Sequence, residues 1–189
     1  MRNWIIAIIY TLILIGLLFS VIYIAFGESN PTLDQTKIQL QQDPTKIAEW
    51  IKQNIKPVQE DIQYAQLPER TYKYRTGDCE DIALLAQYLI GDKYPTYIIV
   101  WNGNFNSTSK YYEKYKTQKI SHVVLAIDFT PKYTHQGSWG VIDQDRFIGY
   151  ETSLEDIIRK DGELRRVDIK DAYFIELYKW HLKLGKRII

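Results

Sequence analysis

The chain has 189 residues, of which 24 are Lys or Arg and 23 are Asp or Glu. Near-neutrality argues against the broad basic footprint of a nucleic-acid binder, and the length beyond an apolar N-terminus suits one domain of about 150 residues, which buries a core without disulfides or metal. One cysteine, Cys79, and three histidines, His122, His135 and His181, exclude an intramolecular disulfide and a CxxC redox motif and disfavour the usual zinc ligand sets.

Residues 4–26, WIIAIIYTLILIGLLFSVIYIAF, carry no charge for 23 residues, enough at about 1.5 Å per residue to cross roughly 30 Å of hydrocarbon. They predict a membrane-spanning helix. The rival reading is a cleaved signal peptide, whose apolar region is shorter, about 7–15 residues, although Ala25-Phe26-Gly27 offers small residues at a peptidase-like spacing. Arg2 on one side, with Glu28 and Asp34 on the other, places the N-terminus in the cytoplasm and the domain outside. The chain then divides into an anchor or signal peptide (1–27), a polar tether (28–42) and one domain (43–189).

Asp43-Pro44 predicts a helix start, with Asp as N-cap, Pro in the first turn and Ile47, Trp50, Ile51 and Ile55 on one face, ending before Pro57. The stretch from 57 to 76 is mixed, with Leu67-Pro68 as a turn or loop signal. From Asp81 the run IALLAQYLI is apolar almost all round and predicts a central helix closed by Gly91. Residues 96–101, TYIIVW, predict a strand, followed by a polar loop holding the sequon Asn106-Ser-Thr108. Residues 120–129 and 138–144 predict a hairpin, 153–160 a short helix beginning at Ser153, 166–169 a short strand, and 172–184 a helix with Phe174, Leu177, Trp180 and Leu184 on one side. Helices followed by a mostly antiparallel sheet make an α+β pattern.

Chemistry concentrates at residues 75–85, RTGDCEDIALL. If Asp78 caps the central helix, Cys79 stands at its first position, where unpaired amides and the helix dipole favour a thiolate. The alternative is a small buried residue, common for cysteine. Among the histidines, His181 reads as packing on the C-terminal helix and His135 as a solvated turn residue. His122 begins an apolar strand with its ring able to face an opening, and is the best general-base candidate. Asp128 on the same strand is about 20 Å from it. Asp143 lies on the partner strand, and a hairpin symmetric about Lys132 and Tyr133 sets His122 opposite Asp143 with about 5 Å between Cβ atoms.

Gly-Asp-Cys-Glu-Asp-x-Ala-x-Leu at residues 77–85, then His-Val-Val-Leu from His122, then Asp143 on the next strand, resembles the transglutaminase-like superfamily, and within it the bacterial transglutaminase-like cysteine proteinases. The resemblance spans residues 44–145. It implies a papain-like core with a central nucleophile helix on a mostly antiparallel sheet, Cys79 as nucleophile, His122 as base and Asp143 as orienter. Gln144 departs from the Pro or Asn that often follows the family's Asp.

The chemistry expected is acyl transfer: a thioester formed on a peptide or glutamine amide of a protein substrate, resolved by water or by an amine. The Cys79 amide is a candidate oxyanion donor. The acids Asp78, Glu80 and Asp81 oppose a thiolate electrostatically. Two readings stand for them: helix-start acids, or oxygen ligands for Ca²⁺, a reading that the resemblance strengthens. The functions to separate are an exported, membrane-tethered cysteine peptidase or amidase, a non-catalytic binding or scaffold module of the same fold, and a cross-linking acyltransferase.

Overall fold

The computed structural model describes residues 15, 31–58, 65–106, 119–130, 138–178 and 181–189. The anchor expected at 4–26 lies outside these except for Ile15. Among the described residues no helix is long and apolar enough to cross a membrane.

The helices α1 (Leu33–Gln39), α2 (Pro44–Asn54), α3 (Pro68–Tyr74) and α4 (Cys79–Ile90) come first, with two-residue strands β1 (Lys56–Pro57) and β2 (Thr76–Gly77) paired in parallel. Then follow β3 (Thr96–Phe105), β4 (Lys119–Asp128), β5 (Trp139–Asp143), β6 (Arg146–Glu151), helix α5 (Leu154–Arg165), β7 (Val167–Tyr178) and β8 (His181–Arg187). The last six strands form one antiparallel sheet in the order β6-β5-β4-β3-β7-β8. Residues Leu33–Ile189 make a single unit of α+β architecture.

Helix starts follow their local chemistry. Asp43 caps α2 by accepting from the Thr45 and Lys46 amides, with Pro44 in the first turn. Asp78 and Asp81 form a reciprocal capping box at the head of α4, and Gly91 closes that helix at φ 56°. Ser153 caps α5 through the Asp156 amide.

Four local expectations are corrected. Residues 33–39, expected as tether, are helical. Leu33 and Thr36 are buried, and Thr36 Oγ1 lies 2.8 Å from the Tyr72 hydroxyl, so a helix too short to show periodicity is held by packing. Pro68, expected in a turn or loop, opens α3 with Leu67 as N-cap. Residues 146–151 add a strand that was not expected. Of residues 172–184, expected as a helix, 172–178 and 181–184 are strand, because β3 offers an open edge that pairs from Ile99–Phe174 to Phe105–Val167. The 3.6-residue spacing of Phe174 and Leu177 was a coincidence that backbone pairing overrode. β3 also runs past Trp101 through a bulge, where a Cβ on Gly103 would stand 2.7 Å from the Asp168 carbonyl oxygen.

Strand alternation splits the core in two. Ile98, Val100, Val123, Leu125, Ile127 and Ile142 face α2 and α4. Ile99, Trp101, Val124, Ala126 and Val141 face Ile157 and Ile158 of α5. α4 is therefore enclosed between the other helices and the sheet, as its apolar circumference requires. Leu85 on it is fully buried. Replacing Leu85 by Ala is expected to cost about 2–5 kcal/mol of stability, read from urea unfolding.

Candidate active site

The candidate residues gather where the sheet parts. β4 and β5 pair only from Leu125–Ile142 to Asp128–Trp139, although β4 continues back to Lys119 and β5 on to Asp143. His122, Val123 and Asp143 lie at that opening. The ladder is offset from the expected register: Leu125 pairs with Ile142 and Ile127 with Gly140, where symmetry about Lys132 and Tyr133 would have paired Leu125 with Gly140. An offset of two keeps the face unchanged, so Asp143 still shares a side with His122 as a diagonal neighbour. Their side chains meet, His122 Nε2 standing 2.7 Å from Asp143 Oδ1.

Asp143 is fully buried and His122 is 5% exposed. Arg165 at the end of α5 donates to both carboxylate oxygens of Asp143, from Nε at 2.9 Å to Oδ2 and from Nη2 to Oδ1. Arg146 adds a longer ion pair at 3.6 Å. Burial alone would raise the Asp143 carboxyl, but His122 and Arg165 outweigh it and hold it below the ordinary carboxylate range. Burial lowers His122, Asp143 opposes that change, and the two arginines add to it, leaving the imidazole below its usual range. An ionised Asp143 accepts the Nε2–H, so the neutral ring keeps Nδ1 as its basic nitrogen.

Cys79 stands at the first position of α4 with Asp78 as N-cap, as the sequence predicts. Its sulfur lies beside the Val123 backbone amide, one residue along β4 from His122. Its thiol donates to Glu80 Oε2 at 3.2 Å, and no hydrogen bond joins it to the imidazole. Burial comes first, and the Glu80 carboxylate second, in pushing the thiol well above its ordinary range. At rest the site therefore holds a neutral thiol and a neutral imidazole. The Asp81 amide is taken by the Asp78 side chain and the Ile82 amide by the Asp78 carbonyl. The Cys79 and Glu80 amides remain as first-turn donors for an oxyanion.

The three acids are engaged differently. Asp81 is fully buried and uses both oxygens, Oδ1 accepting from the Gln66 amide at 2.6 Å and Oδ2 from the Asp78 amide at 3.2 Å. Glu80 takes the thiol, and Asp78 takes the Asp81 amide. Among the described residues no group of three His, Cys, Asp or Glu side chains could hold a metal ion. Of the Asp78, Glu80 and Asp81 ligand set expected from the sequence, Asp81 has both oxygens engaged by backbone amides. Burial, then the charges of Glu80 and Asp81, push the Asp78 carboxyl up to about 8.

Of the other histidines, His135 lies outside the described residues and His181 falls on β8 opposite Tyr178, not on a helix. Three residues of the site were not legible in the sequence: Arg165, Asp161 one turn before it, and Trp101. Trp101 Nε1 donates to Asp161 Oδ2 at 2.8 Å, and the Trp101 ring meets His122 edge-on at 5.2 Å. The available signal was the α5 face itself, on which Ile157 and Ile158 are continued by Asp161 and Arg165, a charged pair at core spacing. A cleft of about 340 Å³ lined by Asn106, Arg159, Arg166 and Asp168 contains no nucleophile and none of the site residues.

No protein-family model matches the chain, and no curated protein matches it. Among solved structures it is similar to Legionella pneumophila LapG, with TM-score 0.39 and 14% identity over 80% of this chain and 70% of that one. The EGTA-treated LapG gives TM-score 0.39 and 15% identity over 80% and 68%, and the calcium-bound form 0.39 and 12% over 84% and 91%. At that TM-score the likeness assigns neither a family nor an activity to the chain.

The thiol–carboxylate contact has a direct readout. An anion 3.2 Å from the sulfur opposes a thiolate by at least about 1.3 kcal/mol even at the dielectric of water, about one pKa unit. Glu80→Gln is therefore expected to lower the Cys79 pKa by at least about one unit, seen as a shift to lower pH in its rate of alkylation by iodoacetamide.

Proposed function

We propose that the chain is a cysteine-dependent peptidase or amidase acting on protein or peptide, with Cys79 as nucleophile, His122 as base and Asp143 as orienter. The observation that supports it most is the 2.7 Å bond between His122 and Asp143 at the opening where the Val123 amide meets the Cys79 sulfur. A buried imidazole with one nitrogen held by an ionised carboxylate and the other left basic, one residue along β4 from the amide beside a helix-start thiol, supplies the groups that nucleophilic acyl transfer uses.

In this reading the thiol turns from Glu80 to His122 as substrate binds. Sulfur attacks the amide carbonyl while its proton passes to Nδ1, and the Cys79 and Glu80 amides face the oxyanion. The C–N bond then breaks, the leaving amine takes the proton from His122, and a thioester remains on Cys79. Water, or an amine in the cross-linking variant, attacks the thioester with His122 again taking a proton; the C–S bond then breaks, the acid or new amide leaves, and the proton returns from His122 to the Cys79 sulfur. No step needs a metal.

A second reading, a non-catalytic binding module, draws on the same site: the thiol is engaged by Glu80 and not by His122. The two diverge in one measurement. For the enzyme, His122→Ala slows Cys79 alkylation by about tenfold or more at neutral pH, as loss of a general base does, and Asp143→Asn does so too. Unchanged labelling in His122→Ala would favour the binding module.

Export and tethering are part of the same proposal, on the strength of the uncharged residues 4–26. The full chain expressed in a bacterium is expected to stay with membranes through alkaline carbonate extraction, and a chain lacking residues 1–27 to be released. Recovery of the full chain in the soluble fraction would remove the tether.

A further inference from the structure

Asp161 has no part in the chemistry just described, yet it is fully buried beside it. Its Oδ2 accepts from Trp101 Nε1 at 2.8 Å. Its Oδ1 is 3.7 Å from Arg165 Nε and has no hydrogen-bond partner. The same Arg165 Nε stands 2.9 Å from Asp143 Oδ2, so the Asp161 and Asp143 carboxyls flank one guanidinium nitrogen, and Arg165 directs its close bonds to Asp143. Trp101 closes the circuit by meeting the His122 ring. The side chains in contact thus run His122, Asp143, Arg165, Asp161, Trp101 and back to His122, drawn from β4, β5, α5 and β3.

Two buried carboxylates that share Arg165, with Arg146 reaching only Asp143 at 3.6 Å, disfavour being ionised together, and a buried oxygen without a donor is costly. A single proton removes both difficulties. Placed on Asp161 Oδ1, it turns the unsatisfied acceptor into a donor facing Asp143. Burial, then the charge of Asp143, push Asp161 well above the ordinary carboxyl range, whereas Asp143 is held low, so the proton resides on Asp161. The charged groups facing it are Asp143 and Arg165, with His122 and Arg146 on the far side of Asp143.

We propose that Asp161 is a positioning residue for the His122–Asp143 pair: as the neutral acid it donates from Oδ1 to Asp143 while Trp101 holds Oδ2, so that with Arg165 it fixes the carboxylate against His122 Nε2. The proposal rests on the reading of Cys79, His122 and Asp143 as the catalytic residues. It distinguishes the two buried acids: one carries the charge, and the other carries a proton that keeps the charge in place.

The test uses the full chain and two measurements. Alkylation of Cys79 by iodoacetamide at pH 7 compares wild type, Asp161→Asn, Asp161→Ala and His122→Ala. The amide of Asp161→Asn retains a neutral donor and an acceptor for Trp101, so it is expected to react within about twofold of wild type, while Asp161→Ala slows about tenfold or more. The second measurement is the ¹³C carboxyl spectrum of aspartate-labelled protein at pH 7, wild type minus Asp161→Asn, in which a protonated carboxyl is expected in the difference. Asp78, pushed up to about 8, contributes to both spectra and cancels. An ionised carboxyl in the difference spectrum overturns the proposal. So does loss in Asp161→Asn as deep as in Asp161→Ala, or wild-type reactivity in Asp161→Ala. If Asp161→Ala does not fold, Asp161→Asn and the spectrum decide. Undiminished alkylation in His122→Ala would remove the catalytic reading instead, and the spectrum would still report where the proton sits.

Discussion

Everything at this site depends on one buried charge. Asp143 is fully removed from water, and a carboxylate in that position costs several kcal/mol unless its partners are close and well aligned. It draws them from three elements: His122 from β4, Arg165 from α5, and Arg146 from the start of β6. The charge thereby ties the far end of α5 to the opened edge between β4 and β5. It also decides the state of His122, since an ionised Asp143 accepts the Nε2 proton and leaves Nδ1 basic. The tie between α5 and β5 and the imidazole tautomer both follow from satisfying one carboxylate.

The head of α4 shows how magnitudes decide between effects. A helix N-terminus favours an anion by about 0.3–1 kcal/mol, which taken alone lowers a thiol by only about 0.2–0.7 pKa unit. Burial and the Glu80 carboxylate act the other way and win, so the thiol is held up. The three neighbouring acids also divide their work. Asp81 is spent on the capping box and the Gln66 amide, Asp78 caps and is itself pushed up, and Glu80 holds the thiol proton. Acids that look interchangeable in a sequence are made unequal by which backbone donors reach them.

Much of the fold and part of the site could be read from local chemistry. Asp43-Pro44, Asp78 and Ser153 start helices and Gly91 ends one, because caps satisfy amides and carbonyls within a few residues of themselves. Apolar runs at 96–101 and 120–127 are strands because β-branched and aromatic residues suit a pleated, buried surface. Cys79 at the first position of α4, and His122 and Asp143 on one face of neighbouring strands, followed from these same signals. Even a register offset by two did not separate His122 from Asp143, since the side-chain period of a strand is two.

Only the tertiary structure decided the remainder, and in each case a distant partner was the cause. Residues 167–178 are strand because β3 had an edge to pair, and residues 33–39 are helix because Tyr72 and the core hold Leu33 and Thr36. Arg165, Asp161 and Trp101 joined the site from 60 residues apart in the Trp101–Asp161 pair and 22 in the Arg165–Asp143 pair. The thiol donates to Glu80. Sequence alone determined what could be satisfied within a turn of helix or along a strand. Burial of charge is settled by whichever side chains the fold brings within reach, and that depends on how the sheet and α5 meet in space.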